Sequence, residues 1–279
     1  MWAETGLVLA DEFRDGNVPA GMSNVPLIER AFAALPAAIT ERFFRADSAC
    51  YEHKVLDWLN EPSRAIGFAI SADMSTELRR ECVKAPASAW SLHEQRVDLR
   101  VDVADIEFVP GVVRKDTIPL RYIALRMTPQ QGTLFEDGAS VKYFAIVTNR
   151  KGNAGEIVDW HRQKAGTIEH VHDITKNELG AGVLPSGKFG ANAAWYRLCL
   201  LTHNLLVALK RLALPPELKN ARPKRLRFRV FTLPAKVIAH ARGLFARVAA
   251  RLLDGFDALA TRQKIFALVP LPLLVPLAA

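Results

Sequence analysis

Three residues with complementary chemistry recur at an interval of two helical turns between Trp160 and Gly180. Arg162, Glu169 and Lys176 follow one another at steps of seven residues, and in one continuous α-helix this interval places them on a single face. A carboxylate can hold a divalent cation, and the flanking cations can bind a phosphate backbone. The pattern therefore indicates metal-assisted chemistry on a phosphate substrate. Charges at this interval are also typical of an ordinary solvated helix face.

A second carboxylate follows a short run of strand-forming residues. Arg42–Ala46 predicts a strand, Asp47 lies at its end, and a helix is expected from Glu52 to Leu59. Two or more acids on rigid elements are what a hard cation such as Mg²⁺ requires. An aspartate at this position is also a common cap of a turn or helix. The residues alone leave both roles open.

The segment around Glu169 resembles the last acidic motif of the DDE transposases encoded by bacterial insertion sequences. That motif runs tyrosine, two residues, arginine, three residues, glutamate, six residues, lysine. Glu169 and Lys176 keep the interval between the glutamate and the lysine. Ala165 stands at the arginine position and Arg162 at the tyrosine position, so the missing cation would come from Lys164 or Arg162.

Three further segments resemble the same family, in the same order along the chain. Glu41–Tyr51 is similar to its second acidic motif, in which an R-A-D-S run presents a metal-binding aspartate, here Asp47. Leu7–Asn17 is similar to an inner strand with the G-N turn after it, and Phe189–Leu205 to the helix that follows the catalytic glutamate. The resemblance thus covers nearly the whole chain.

The resemblance implies an α/β fold, a ribonuclease H-like mixed sheet with helices that is interrupted by a β-rich insertion. We divide the chain into a first part of the core (1–75), the insertion (76–150), a second part of the core with the catalytic helix (151–215), a basic carboxyl-terminal segment (216–264) and a tail (265–279). Within this frame we expect a strand at Leu7–Phe13 and one long helix at Glu156–Asn177.

The resemblance also implies metal-dependent DNA cleavage and strand transfer, with Mg²⁺ or Mn²⁺ bound by Asp47 and Glu169. Relatives carry their first aspartate on an opening strand, and here Asp11 and Asp15 are the only early aspartates. We therefore expect an amino-terminally truncated transposase with two of three catalytic acids and little activity alone. One alternative is a non-catalytic DNA-binding remnant that interferes with the intact enzyme. Another is a nuclease of the same fold with a different biological role.

The charge is concentrated near the carboxyl end. The chain of 279 residues has a net charge of +8, whereas the stretch from Lys210 to Lys264 holds fourteen Lys and Arg against three acids, a balance of +11. A basic segment joined to a nearly neutral region favours a nucleic-acid partner, here double-stranded DNA at transposon ends and target. A basic face that serves solubility or lies on a membrane surface would give the same count.

Two patterns in this basic segment predict elements that carry cations. Strict alternation in Arg225–Thr232 predicts a strand with a row of arginines on one side. The apolar period in Lys236–Leu253 predicts an amphipathic helix with a cationic stripe. The expected DNA contacts are Arg162, Lys164, Lys176, Arg225, Arg227, Arg229, Lys236, Arg247 and Arg251.

The cellular location is predicted from the cysteines and from the composition of the two ends of the chain. Three cysteines without metal-binding spacing indicate reduced thiols in a cytoplasm. The resemblance implies that this cytoplasm is bacterial and that the protein associates with the nucleoid when DNA is bound. The start of the chain lacks the composition of a signal peptide. The uncharged, proline-broken residues after Lys264 are too few to span a bilayer. We expect no membrane partner, and a homo-oligomer is compatible with the pattern.

Overall fold

The computed structural model describes residues 1–19, 21–111, 119–130, 135, 138–232, 235–240 and 243–248. The chain divides into two compact units. The sheet unit contains Arg14–Thr167, and the helical unit combines Met1–Phe13 with Ile168–Ala279. Within the described ranges, no helix combines the length and apolarity needed to cross a membrane.

Six strands form the centre of the sheet unit. They are β1 (Arg42–Ala46), β2 (Ile66–Ala72), β3 (Ser91–Gln95), β4 (Leu99–Ile106), β5 (Arg121–Pro129) and β6 (Lys142–Thr148). Their order across the sheet is β1-β2-β6-β5-β4-β3. β1 and β2 run parallel, whereas the other neighbours are antiparallel. This is the expected mixed sheet, and the strands of residues 76–150 extend it from β2 outward.

Helices cover both faces of this sheet. One face packs against α1 (Val25–Ala33), α2 (His53–Asn60) and α3 (Thr76–Lys84), and the other against α4 (Ala154–Arg162). Alternation along β2 shows the division, because Phe68 and Ile70 join the first core while Ala69 joins the second. A strand that is buried on both faces reads as a continuous apolar run. Residues 66–72 form such a run.

The helical unit is arranged around one long helix. Its elements are α5 (Thr167–Asn177), whose first residue belongs to the sheet unit, α6 (Phe189–Leu212), α7 (Pro223–Leu226) and a hairpin of β7 (Ala235–His240) and β8 (Gly243–Val248). Leu214, Leu218, Ala221 and Leu226 form a small core with Leu206 and Leu209 of α6. The expected tail at 265–279 lies outside the described residues.

The strand expected at Leu7–Phe13 is wrong. The only pairing described there is one isolated bridge between Trp2 and Leu7. The backbone of Val8 instead bonds the side chain of Asn204 on α6, with its N–H donating over 2.9 Å and its carbonyl accepting over 2.8 Å. An amide side chain thus takes the place of a neighbouring strand.

The single helix expected at Glu156–Asn177 is also wrong, because α4 and α5 are separate helices. Gly166 has a φ of +74°, a conformation outside the right-handed helix. The turn is closed by the N–H of Ala165, which donates to the carbonyl of Arg162 over 3.0 Å. Arg162 therefore ends one helix, and Glu169 and Lys176 belong to the next.

Both elements expected in the basic segment are corrected by the structure. Arg225–Thr232 is helical, because α7 runs into a π-helical turn at Arg227–Phe231, and Thr232 N–H donates to the carbonyl of Arg227 over 2.9 Å. Pro223 starts this helix and Leu226 is fully buried beneath it, which favours helix over strand. The helix expected at Lys236–Leu253 is replaced, as far as it is described, by the β7–β8 hairpin.

Candidate catalytic carboxylates and their surroundings

Asp47 lies at the carboxyl end of β1 with its side chain exposed to solvent. Its Oδ1 accepts the backbone N–H of Ala49 over 3.1 Å, which starts a short 3₁₀ turn at Ser48–Cys50. The capping role is therefore real, and it engages one of the two carboxylate oxygens. No ion pair within the described residues includes Asp47. The carboxylate stays open to a cation from the solvent side.

The backbone just before Asp47 is fixed from two directions. Parallel pairing holds Ala46 opposite Ile70 on β2. On the α4 side, Nε2 of His161 lies 3.0 Å from the carbonyl oxygen of Ala46 and 3.4 Å from Oγ of Ser71. Burial lowers the pKa of His161 to about 4, against a smaller raising effect from the Ala46 carbonyl. The imidazole is therefore neutral at neutral pH, and its Nε2–H donates to Ala46.

His161 belongs to none of the motifs that the sequence offered. Its side chain is 6% exposed and lies on the same helix as the buried Ile157 and Val158. A histidine three or four residues after buried apolar residues of a helix lies on the same buried face, where its ring nitrogens need hydrogen-bond partners. Its partner on a distant strand was not accessible from the sequence.

Arg14 and Lys164 are two cations of the sheet unit that act on Cys50, three residues after Asp47. The pKa of the Cys50 thiol is raised to about 11, first by burial and then by the charges of Asp47 and Glu52, against the lowering effects of Arg14 and Lys164. Asp47 and Lys164 thus act on the same thiol, which places this carboxylate and this ammonium group in one electrostatic neighbourhood. Of the two cations considered as substitutes for the missing arginine, Lys164 shares this neighbourhood.

Arg162 is engaged elsewhere. Its Nη1 lies 3.2 Å from Oε2 of Glu94 on β3, and Glu94 also accepts from Arg96 over 2.6 Å. Hydrogen bonding and charge from Arg96, and then from Arg162, lower the pKa of Glu94. A phosphate would have to compete with this carboxylate for Arg162. Its expected DNA contact stays a prediction.

Glu169 lies in the first turn of α5 and is exposed. Lys176 is also exposed, and the two residues share this helix at an interval of two turns. Burial and then Lys176 lower the pKa of His172, whereas Glu169 raises it. Within the described residues Glu169 takes part in no ion pair, unlike Asp173, whose carboxylate binds Arg222 over 2.6 Å.

The two acids belong to different units, Asp47 to the sheet unit and Glu169 to the helical unit. Their convergence on one metal site stays a prediction. The donor chemistry of each fits a hard divalent cation, since both are exposed carboxylates without a basic partner in the described ranges. No group of three or more histidine, cysteine or acidic side chains suited to a metal occurs among the described residues.

The cations of the basic segment are exposed where they are described. Arg225, Arg227, Arg229 and Lys236 all have open side chains. In β7 and β8, Lys236 is the register partner of Arg247, and Arg251 lies outside the described residues. DNA binding by these positions is untested. Arg225, Arg227 and Arg229 lie in helical turns and therefore do not share one face of a strand.

Comparison with known proteins adds one match. A family model described as "Transposase DDE domain group 1" matches residues 1–257. A search of curated proteins finds no match. The matched range includes Asp47, Glu169, the whole sheet unit and the helical unit up to residue 257.

Proposed function

We propose a role in metal-dependent DNA cleavage and strand transfer, with Asp47 and Glu169 as the catalytic acids. The chain belongs to the family of transposase DDE domains of group 1. The observation that carries the proposal is the exposure and position of the Asp47 carboxylate. It is an exposed carboxylate without an ion pair in the described residues, at the end of β1, the edge strand that pairs in parallel with β2. The backbone of Ala46, next to Asp47, is anchored both by pairing with β2 and by the hydrogen bond from His161, and this fixes the position of the carboxylate.

The roles of the residues follow from the needs of phosphoryl transfer. Divalent cations, Mg²⁺ or Mn²⁺, would supply charge that stabilises the attacking and leaving oxygens. Asp47 and Glu169 would hold these cations. Lys164 and Lys176 would bind the phosphates that flank the scissile bond.

The test is nicking of supercoiled plasmid by the full chain under Mn²⁺ titration. Asp47→Asn and Glu169→Gln should each reduce nicking about 100-fold or more, since an essential metal ligand is lost. Glu107→Gln and Glu217→Gln are matched controls, because both residues are exposed acids, one in each unit, and should leave the rate unchanged. Nicking that survives both catalytic substitutions would refute the assignment.

A non-catalytic DNA-binding remnant is the second candidate. It is favoured by the exposed arginines 225, 227 and 229 and by the balance of +11 between Lys210 and Lys264. This reading predicts salt-dependent binding to duplex DNA with no nicking at any metal concentration. It also predicts that the chain inhibits an intact transposase of the same family when the two are mixed. Nicking abolished by Asp47→Asn would exclude it.

Self-association is part of the proposal. Leu198, Leu201, Leu205 and Leu212 on α6 are each more than half exposed. The first three follow a 3–4 spacing and Leu212 lies seven residues after Leu205, intervals that place all four along a helix-pairing seam. A second copy presenting the same seam would bury these leucines. Light scattering after size exclusion should give a dimer mass for the native chain and a monomer mass for Leu201→Glu. A monomer in both cases would remove the oligomer from the proposal.

A further inference from the structure

A cavity lies beside α2, next to the residues that follow β4 and precede β5. Its volume is about 80 Å³, whereas one enclosed water needs roughly 10–15 Å³. Four residues of α2 belong to its lining, namely His53, Leu56, Asp57 and Asn60. Their intervals of three and four residues place them on one face of the helix. The cavity is therefore large enough for a group of several carbon and nitrogen atoms.

The apolar part of the lining is held in place by the core of the sheet unit. Leu56 and Tyr122 are buried members of that core, and Phe108 packs against it. The rings of Phe108 and Tyr122 meet edge-on, with centroids 5.0 Å apart and planes at 87°. The Tyr122 hydroxyl lies 3.1 Å from that of Tyr51 and is thus already hydrogen-bonded. This wall offers carbon surface to an alkyl chain.

The polar part of the lining carries an unpaired negative charge. No ion pair in the described ranges includes Asp57, and the described lining residues contain neither lysine nor arginine. One helical turn earlier, Nε2 of His53 is enclosed and lacks a hydrogen-bond partner in the same ranges. A carboxylate beside an apolar wall attracts a cation more strongly than one in open water, because fewer waters screen its charge. The lining therefore favours a ligand that combines a positive charge with carbon surface.

We propose that this cavity binds a primary alkylammonium group, with the nitrogen on the Asp57 carboxylate and the alkyl chain against Leu56 and Phe108. The carboxylate repels phosphates and other carboxylates, and an alcohol of the same length brings no positive charge to it. A free amine and the lysine side chain of another protein both carry the alkylammonium group. Neither Asp47 nor Glu169 is among the described lining residues, so binding does not depend on the proposed DNA chemistry.

The test is a titration of the isotope-labelled full chain with n-butylamine at pH 7, where the amine is charged, followed by the NMR shifts of the backbone amides. 1-Butanol is the neutral analogue of equal length. Amides of α2 and around Tyr122 should shift in a saturable manner, with an affinity for n-butylamine about ten-fold above that for 1-butanol. Asp57→Asn should remove about this factor, because the hydrogen-bonded contact between two charges is lost. Asp98→Asn is the matched control, since Asp98 is an exposed acid of the same unit, and should leave the affinity unchanged.

A second variant and a second ligand complete the test. Asp57→Glu keeps the charge and should therefore keep the preference for n-butylamine over 1-butanol. A blocked peptide with one lysine, acetyl-glycyl-lysyl-glycine amide, binds more tightly than n-butylamine if the natural ligand is a protein lysine, and less tightly if it is a free amine. Equal affinities of the native chain for n-butylamine and 1-butanol, or an affinity for n-butylamine that Asp57→Asn leaves unchanged, would overturn the proposal.

Discussion

At the scale of single residues, His161 gives the clearest pH dependence. Its pKa is lowered to about 4 in the folded chain by burial, whereas in the unfolded chain it titrates near the ordinary value of about 6.5. Between these values the unfolded state binds the extra proton, so acidification favours unfolding and stability rises as the pH increases. The effect vanishes above about pH 6.5 and amounts to about 3 kcal/mol at most once the pH falls below 4.

The measurement is urea unfolding of the native chain and of His161→Gln at pH 7 and pH 4.5. At pH 7 the native chain should be more stable by about 1–2 kcal/mol, because the variant loses the hydrogen bond to Ala46 and good packing. At pH 4.5 this advantage should shrink, since the penalty for keeping the imidazole neutral affects the native chain alone. An advantage that grows on acidification would mean that the buried ring is charged.

Asp102 makes a second prediction at this scale. Its side chain is 2% exposed and binds Arg100 over 2.9 Å and Arg126 over 3.1 Å. Burial opposes ionisation, but the hydrogen bonds and charges of the two arginines outweigh it and lower the pKa. Asp102→Asn leaves both cations without a counter-charge and should cost about 3 kcal/mol in the free energy of unfolding.

Asp105→Asn provides the comparison for this prediction, because Asp105 lies on the same strand and pairs with Arg121 but is 56% exposed. Its loss should be much smaller, as for surface ion pairs in general. Urea unfolding of both variants at pH 7 measures the difference. Similar losses would show that burial does not set the value of the Asp102 pairs.

At the scale of elements, the break between α4 and α5 is decided by Gly166. This residue has a φ of +74°, and a Cβ added there would meet no atom within 4 Å. Gly166→Ala should therefore destabilise the chain by about 1 kcal/mol through backbone strain alone. In a single continuous helix the same substitution would stabilise by a similar amount. Thermal unfolding of the variant distinguishes the two arrangements by the sign of the shift.

The sequence predicted well those strands whose apolar residues reflect burial in the main sheet. The strand predicted at Arg42–Ala46 is β1, with the same first and last residues. Its parallel partner β2 is an apolar run that is almost entirely buried, which is typical of a strand covered on both faces. The motif that ends in Asp47 supported the prediction of β1.

The elements that failed depend on contacts that a local pattern does not contain. The alternation in Arg225–Thr232 is typical of a strand. Leu226, however, is buried in the small core with Leu214 and Leu218, and a helix can provide the same burial. The backbone of Val8 finds its partner 196 residues away on α6. The interval of seven residues between Arg162 and Glu169 was counted correctly, yet a glycine with positive φ separates them.

At the scale of the whole molecule, salt dependence of duplex binding reports how the basic segment meets DNA. Each phosphate contact adds about 0.9 to the slope of the logarithm of the affinity against the logarithm of the salt concentration. A strand would direct Arg225, Arg227 and Arg229 to one side, and each would then contribute equally. In the observed helical turns, residues two positions apart lie on opposite sides and residues four positions apart on the same side.

The helical arrangement therefore predicts unequal contributions from the three arginines. The double substitution Arg225→Gln with Arg229→Gln should reduce the salt slope by about 1.8, because both side chains reach the same duplex. Arg227→Gln should leave the slope nearly unchanged and serves as the control, as all three residues are exposed. Anisotropy titrations between about 50 and 200 mM salt cover the range in which such slopes are linear. Equal reductions for each single arginine would contradict the helical turn and restore the strand, because only a shared face gives three equivalent contacts.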